Sequence, residues 1–159
     1  SNLAAAAIWR RLGALLPAPP CPRAFLALPD AALREAGLSR PKIAYARGLA
    51  EAVAEGRLDP DRLASLPDDQ AIAAIAALKG FGRWSAEIYL LFALERRDVF
   101  PAADLALAAS LADLRGLATR PDERALRALA EAWRPWRGLA ARLLWHHWRH
   151  VKGRAAFDS

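Results

Sequence analysis

The stretch from Leu66 to Leu94 constrains this 159-residue chain more than any other. Ile72, Ile75 and Leu78 lie three residues apart, the spacing of one helical face, after a start signal at Leu66-Pro67-Asp68-Asp69. The pattern stops at Gly80 and resumes from Trp84 to Leu94, with Ile88, Leu90, Leu91 and Phe92 as its apolar content. Gly80-Phe81-Gly82 is too short for anything but a tight turn, and its glycines permit positive φ. Two helices joined by Gly-x-Gly make a helix-hairpin-helix candidate over residues 67–94.

The rest of the chain reads the same way. β-Branched residues are scattered and period-two alternation is not sustained, so the expected fold is all-α, a helical bundle built around the hairpin. Leu3 to Leu16 is expected as a first helix with Ile8, Leu12, Leu15 and Leu16 on one stripe, closed by the run Pro17 to Pro22. A short helix from Asp30 to Ala36 takes its N-cap from Pro29-Asp30 and ends at Gly37. Ser39 caps a longer one in which Ile43, Leu49 and Val53 face inward and Gly56 is the stop, followed by a turn rich in Asp and Pro. Beyond the hairpin, Glu95 to Ala103 is a loop and Asp104 sits where an N-cap belongs, with Leu105, Leu107, Leu111 and Leu114 continuing helically. Pro121-Asp122-Glu123 opens a helix to Trp133, and Trp136 to His150 forms the last.

Length fits one domain, residues 1–159, with a sizeable core even though 39 of the residues are alanine. No run of 18 apolar residues and no basic segment ahead of an apolar one occurs, so a membrane span and a secretory signal are excluded and a cytoplasmic location is expected. The single cysteine, Cys21, excludes an internal disulfide, a zinc knuckle and a four-cysteine iron–sulfur cluster, and no role is expected for it. The net charge of +6 rests on 20 arginines and three lysines, side chains suited to an anionic partner; a biased codon composition would give the same excess. The chain contains no methionine and opens directly on a helical pattern, so an N-terminally incomplete protein is expected.

Three groups of residues carry chemistry. Backbone N–H groups around Gly80 and Gly82, beside the start of the next helix and flanked by Lys79 and Arg83, suit a phosphate gripped without base readout; an ordinary helix corner is the alternative. Asp104 is an N-cap that is also a carboxylate fixed in direction. His146 and His150 have the i, i+4 spacing of metal ligands but no third partner nearby in sequence, so a wet helix face is expected and no metal site.

Gly80-Phe81-Gly82-Arg83-Trp84-Ser85-Ala86-Glu87, then Asp98-Val99-Phe100-Pro101 and Asp104, resembles the helix-hairpin-helix DNA glycosylase superfamily, in its 3-methyladenine DNA glycosylase II branch. Trp133-Arg134-Pro135-Trp136-Arg137 followed by Trp145 resembles the C-terminal segment and pocket tryptophan of that branch. The resemblance implies flipping of an alkylated purine out of double-stranded DNA and hydrolysis of its N-glycosidic bond. It assigns Asp104 as catalytic, Trp84 and Trp145 as base-pocket walls with Ile88 and Tyr89 beside them, and Lys79, Gly80, Phe81, Gly82, Arg83 and Ser85 to the DNA backbone. Trp9, Trp133, Trp136 and Trp148 are left as structural, and core packing is the alternative for the pocket pair. Bifunctional members carry a lysine where this chain has Trp84, so base release without strand cleavage is expected.

The departures from the pattern are specific. The branch often has a second aromatic at the position of Ile88, so a less aromatic pocket is expected. Ala103 replaces the Gly or Asp that commonly precedes the catalytic Asp, and of a Gln-Gln-x-Ser stretch before the first helix only Ser1 is a remnant. No soluble cofactor is expected; a monovalent cation on carbonyl oxygens between Lys79 and Gly82 is compatible with the family, as is a monomer associated with the nucleoid. A non-catalytic helix-hairpin-helix DNA-binding protein is the competing reading, and a helical protein with a merely compositional arginine excess is a third.

Overall fold

The computed structural model describes residues 2–151, all helix and connection with no strand among them, which is the expected all-α class. Ser1, the remnant of the family's N-terminal stretch, lies outside the described residues. The helices are α1 (Asn2–Gly13), α2 (Pro22–Ala27), α3 (Asp30–Glu35), α4 (Arg40–Ala54), α5 (Pro60–Ser65), α6 (Asp68–Ala76), α7 (Arg83–Phe92), α8 (Leu105–Arg115), α9 (Glu123–Ala130) and α10 (Arg137–Val151), with a 3₁₀ turn over Glu131–Trp133. They fall into two compact units. One takes the described residues up to Pro67 with Ala74–Phe81; the other takes Asp68–Ala73 with those from Gly82 onward.

In the first unit Leu12, Phe25, Leu33, Ile43 and Ala50 form the core, flanked by Leu16, Leu26, Leu28, Leu38 and Ala46. Arg47 on α4 ties α2 to α3: its guanidinium donates to the Leu26 carbonyl at 3.0 Å, the Leu28 carbonyl at 2.6 Å and Asp30 Oδ1 at 2.7 Å. Asp30 is therefore an ion-pair partner at the first helical position and not the expected cap; Pro29 holds the cap position and has no side-chain acceptor. Two helices have no counterpart in the sequence pattern. α2 and α5 are six residues each with proline at the start, where its fixed φ and missing N–H cost nothing. Cys21 acquires a role, since its Sγ caps α2 by accepting from the Ala24 amide at 3.4 Å. Leu15 and Trp9 stay in solvent, Trp9 at 65% exposure, so neither is a core residue of α1. On α4, Leu49 and Val53 are only half-buried, and Ala50 and Ala52 take the interior instead.

Leu91, Phe100, Leu107, Leu111, Leu126 and Leu144 centre the core of the second unit, with α10 packed along α8. Of the expected leucine face of α8, Leu105 is 74% exposed and Leu114 is exposed as well. Leu105 is two residues from buried Leu107, roughly 200° around the helix, so one faces out when the other faces in. Trp136 is also exposed and carries the Arg97 guanidinium 5.7 Å from its ring centre. Trp133 packs on Phe100 at 5.6 Å between ring centres, and Trp148 is half-buried.

Candidate functional site

Asp104 ends a turn closed by its own amide on the Pro101 carbonyl at 2.9 Å and begins α8. Its Oδ1 accepts the amides of Ala106 at 2.9 Å and Leu107 at 3.1 Å, the expected N-cap. Two indoles reach the same carboxylate from distant parts of the chain. Trp145 Nε1 on α10 donates to Oδ1 at 3.2 Å, and Trp84 Nε1 near the start of α7 donates to Oδ2 at 3.1 Å. Trp84 is 44% exposed, whereas Trp145 is partly buried against the core. The three residues singled out in the sequence thus form one cluster, and the tryptophans present N–H edges to the carboxylate as well as ring faces.

The loop carrying Asp104 is anchored by the C-terminal Trp-Arg-Pro-Trp-Arg block. Arg137 donates to Asp98 Oδ1 at 2.8 Å, Asp98 Oδ2 at 3.0 Å and the Asp98 carbonyl at 2.8 Å, and Arg134 adds a bond to Oδ2 at 2.8 Å. Burial raises the Asp98 pKa and is the largest single influence; hydrogen bonds from the Arg137 side chain and backbone, with the charges of Arg137 and Arg134, outweigh it and hold the carboxyl below the usual aspartate value. Gly138 follows because its amide bonds the Arg97 carbonyl at 2.8 Å and a Cβ there would lie 2.7 Å from that oxygen.

Ile88 and Tyr89 are both half-buried. Phe92, which the sequence pattern marks only as apolar content of the helix, stands beside Trp145. It lies eight residues after Trp84 on the same helical stripe, is 51% exposed, and its ring centre is 5.7 Å from that of Trp145. The Arg142 guanidinium stands 4.8 Å from the Phe92 ring centre and donates to the Leu91 carbonyl at 3.0 Å. The signal available was the i, i+4, i+8 row Trp84, Ile88, Phe92.

In the hairpin, Gly80 adopts φ +90° and a Cβ on it would fall inside the Tyr45 ring, so only glycine fits. Gly82 is the N-cap of α7 with no side chain to block the first amides. Lys79 is exposed, Phe81 and Ser85 are half-buried, and Arg83 donates Nε to buried Glu87 at 2.9 Å. Arg127 bonds the same Glu87 oxygen at 2.9 Å. Arg127 is pushed down by burial, yet bonds and charges from Glu87 and Glu123 prevail and raise its pKa. Of the histidines, His146 and His150 are exposed, but His147 meets Asp113 at 2.9 Å and so is not simply wet. Among the described residues, no three His, Cys, Asp or Glu side chains are grouped to hold a metal. No described helix is long and apolar enough to cross a membrane.

A helical chain with a Gly-x-Gly hairpin leading to a capped carboxylate is the arrangement of the helix-hairpin-helix repair proteins. The chain belongs to the family described as HhH-GPD superfamily base excision DNA repair protein, which matches residues 1–135. It is 33% identical over 114 residues to DNA-3-methyladenine glycosylase 1 of Schizosaccharomyces pombe, covering 71% of this chain and 50% of that protein. The solved structure of a Bacillus halodurans DNA-3-methyladenine glycosidase superimposes with a TM-score of 0.82 at 33% identity, over 96% of this chain and 71% of that one. A Schizosaccharomyces pombe 3-methyladenine DNA glycosylase in complex with abasic DNA does so at 0.83 and 29% identity, over 92% and 71%. The chain spans 44% to 60% of the length of three curated relatives that it matches.

Proposed function

We propose that this protein is a monofunctional DNA glycosylase that flips alkylated purines of the 3-methyladenine type out of double-stranded DNA and hydrolyses the N-glycosidic bond, leaving an abasic site. The observation that carries the reading is the cluster of Asp104 with Trp84 and Trp145. As the glycosidic bond breaks, positive charge develops on the sugar, and a carboxylate already fixed in direction stabilises it without reorganising. The same carboxylate orients the attacking water and takes its proton. An alkylated purine is cationic, which makes it a better leaving group and a partner for electron-rich indole faces. Trp84 has no amine with which to attack the sugar, so no strand-cleaving step follows base release.

The hairpin from Lys79 to Ser85 is the backbone grip in this reading. A monovalent cation held by carbonyl oxygens between Lys79 and Gly82 would bridge the turn to a phosphate. The hydrolysis needs no soluble cofactor, and the protein acts as a monomer, at the nucleoid within the cytoplasm. Base release from methylated duplex DNA by the parent protein and by Asp104→Asn is the test. Release by the parent and a loss of at least a hundredfold in the variant, with duplex binding retained, is the expected result. Salt-dependent binding with no abasic product from either protein overturns the enzyme assignment.

A further inference from the structure

Resting on the reading of Asp104 as the catalytic carboxylate, we infer that Trp84 and Trp145 act on the reaction through their indole N–H groups as positioning residues, and that Oδ2 of Asp104 is the oxygen turned to the sugar and the water. The two oxygens are not equivalent. Oδ1 accepts three bonds, from the amides of Ala106 and Leu107 and from Trp145 Nε1. Among the described residues Oδ2 accepts one, from Trp84 Nε1. A carboxylate oxygen has room for about two well-directed bonds, so Oδ1 is saturated and Oδ2 retains acceptor capacity. The donors on Oδ1 hold the carboxylate from the cap side, and the indole on Oδ2 holds it from the opposite side, so turning about the Cβ–Cγ bond strains bonds at both oxygens. The donors arrive from α7 and α10, so both helices must be in place before the carboxylate is aimed.

The asymmetry orders the effects of removing each donor. Trp84→Phe keeps an aromatic ring but takes the one partner of Oδ2, and it lowers the single-turnover excision rate by about tenfold, the scale of a lost preorganised donor one bond removed from the reacting atoms. Trp145→Phe leaves Oδ1 with two amides and lowers the rate by roughly threefold. In both variants the affinity for duplex containing an abasic-site analogue stays within twofold of the parent's. Replacing Trp84 by 3-benzothienylalanine, which has the indole's shape without its N–H, slows excision as much as phenylalanine does. A parent-like rate in that protein, or a larger loss at Trp145 than at Trp84, overturns the inference. A second readout does not depend on activity. The indole ¹H–¹⁵N resonances of Trp84 and Trp145 move when Asp104 is changed to Ala, with the melting temperature recording that the fold survives. Unmoved resonances refute the positioning role. Moved resonances in a parent protein that releases no base leave the geometry standing and sink the glycosylase reading instead.

Discussion

Asp98→Ala tests whether the C-terminal arginines hold the loop on which Asp104 sits. The substitution removes the acceptors of Arg137 Nε at 2.8 Å, Arg137 Nη2 at 3.0 Å and Arg134 Nη1 at 2.8 Å. Arg134 is half-exposed and also held by Glu131, so its bond counts for little after screening. Arg137 is only 14% exposed and keeps Glu131 Oε1 at 2.6 Å, so it is not left wholly unpaired. One well-formed charged pair lost at a mostly buried guanidinium destabilises by about 2 kcal/mol, which for a domain of this size lowers Tm by roughly 4–8 °C. Folding lowers the Asp98 pKa, so its contribution is complete above the ordinary value of 3.8 and is lost as pH falls through the still lower folded value. Urea unfolding followed by circular dichroism at pH 7 and at pH 3 gives both numbers. The gap between parent and variant is full at pH 7 and narrows at pH 3. A gap below about 0.5 kcal/mol at pH 7, the scale of an ordinary surface change, refutes the reasoning, as does one that widens in acid.

Two further substitutions bear on the hairpin. Gly80→Ala combines a positive φ with a Cβ inside the Tyr45 ring and costs about 3 kcal/mol or more in chemical unfolding; adding Tyr45→Ala restores the space but not the backbone, so the double variant recovers only part. Lys79→Ala removes an exposed cation and leaves the melting temperature unchanged, while the slope of log K for duplex binding against log salt falls by about 0.9, as expected for one phosphate contact. An unchanged slope removes Lys79 from the DNA-facing surface.

The hairpin was legible because two glycines interrupt a three- and four-residue apolar rhythm that otherwise continues, and Asp104 because a cap residue is a local signal. α2 and α5 were not, since six-residue helices opened by proline carry too few apolar positions to show a period and look like proline-rich turns. Exposure was the weakest expectation: Trp9, Leu105 and Trp136 have core composition, but which side of a helix meets a neighbour depends on packing that local spacing does not encode. The bonds from Arg47 to the end of α2 and from Arg137 to Asp98 lie 21 and 39 residues apart in the chain, and no spacing rule reaches so far. Phe92 was missed for a different reason. Its row with Trp84 and Ile88 was readable, but an apolar residue on an apolar helix carries no mark that it will be left half in solvent beside Trp145.

Two carboxylates, Glu87 in the middle of α7 and Asp104 at the start of α8, show why only one is suited to the proposed chemistry. Glu87 is buried and carries Arg83 and Arg127 on one oxygen, so its charge is already compensated and its outward field is small. It organises α7 and α9, and its Oε2, which has no hydrogen-bond partner among the described residues, is buried and so is not presented to a developing cation. The N–H groups that reach Asp104, two from the backbone and two from indoles, are all neutral. They fix the direction of the group without cancelling its charge. An arginine in place of either indole would hold Asp104 as firmly and would neutralise the field that stabilises a cationic sugar, which gives a physical reason for tryptophan at both positions beyond the stacking of a base. In the proposed reading the same neutral donors add no positive charge beside an alkylated purine carrying its own, where a guanidinium in their place would repel it.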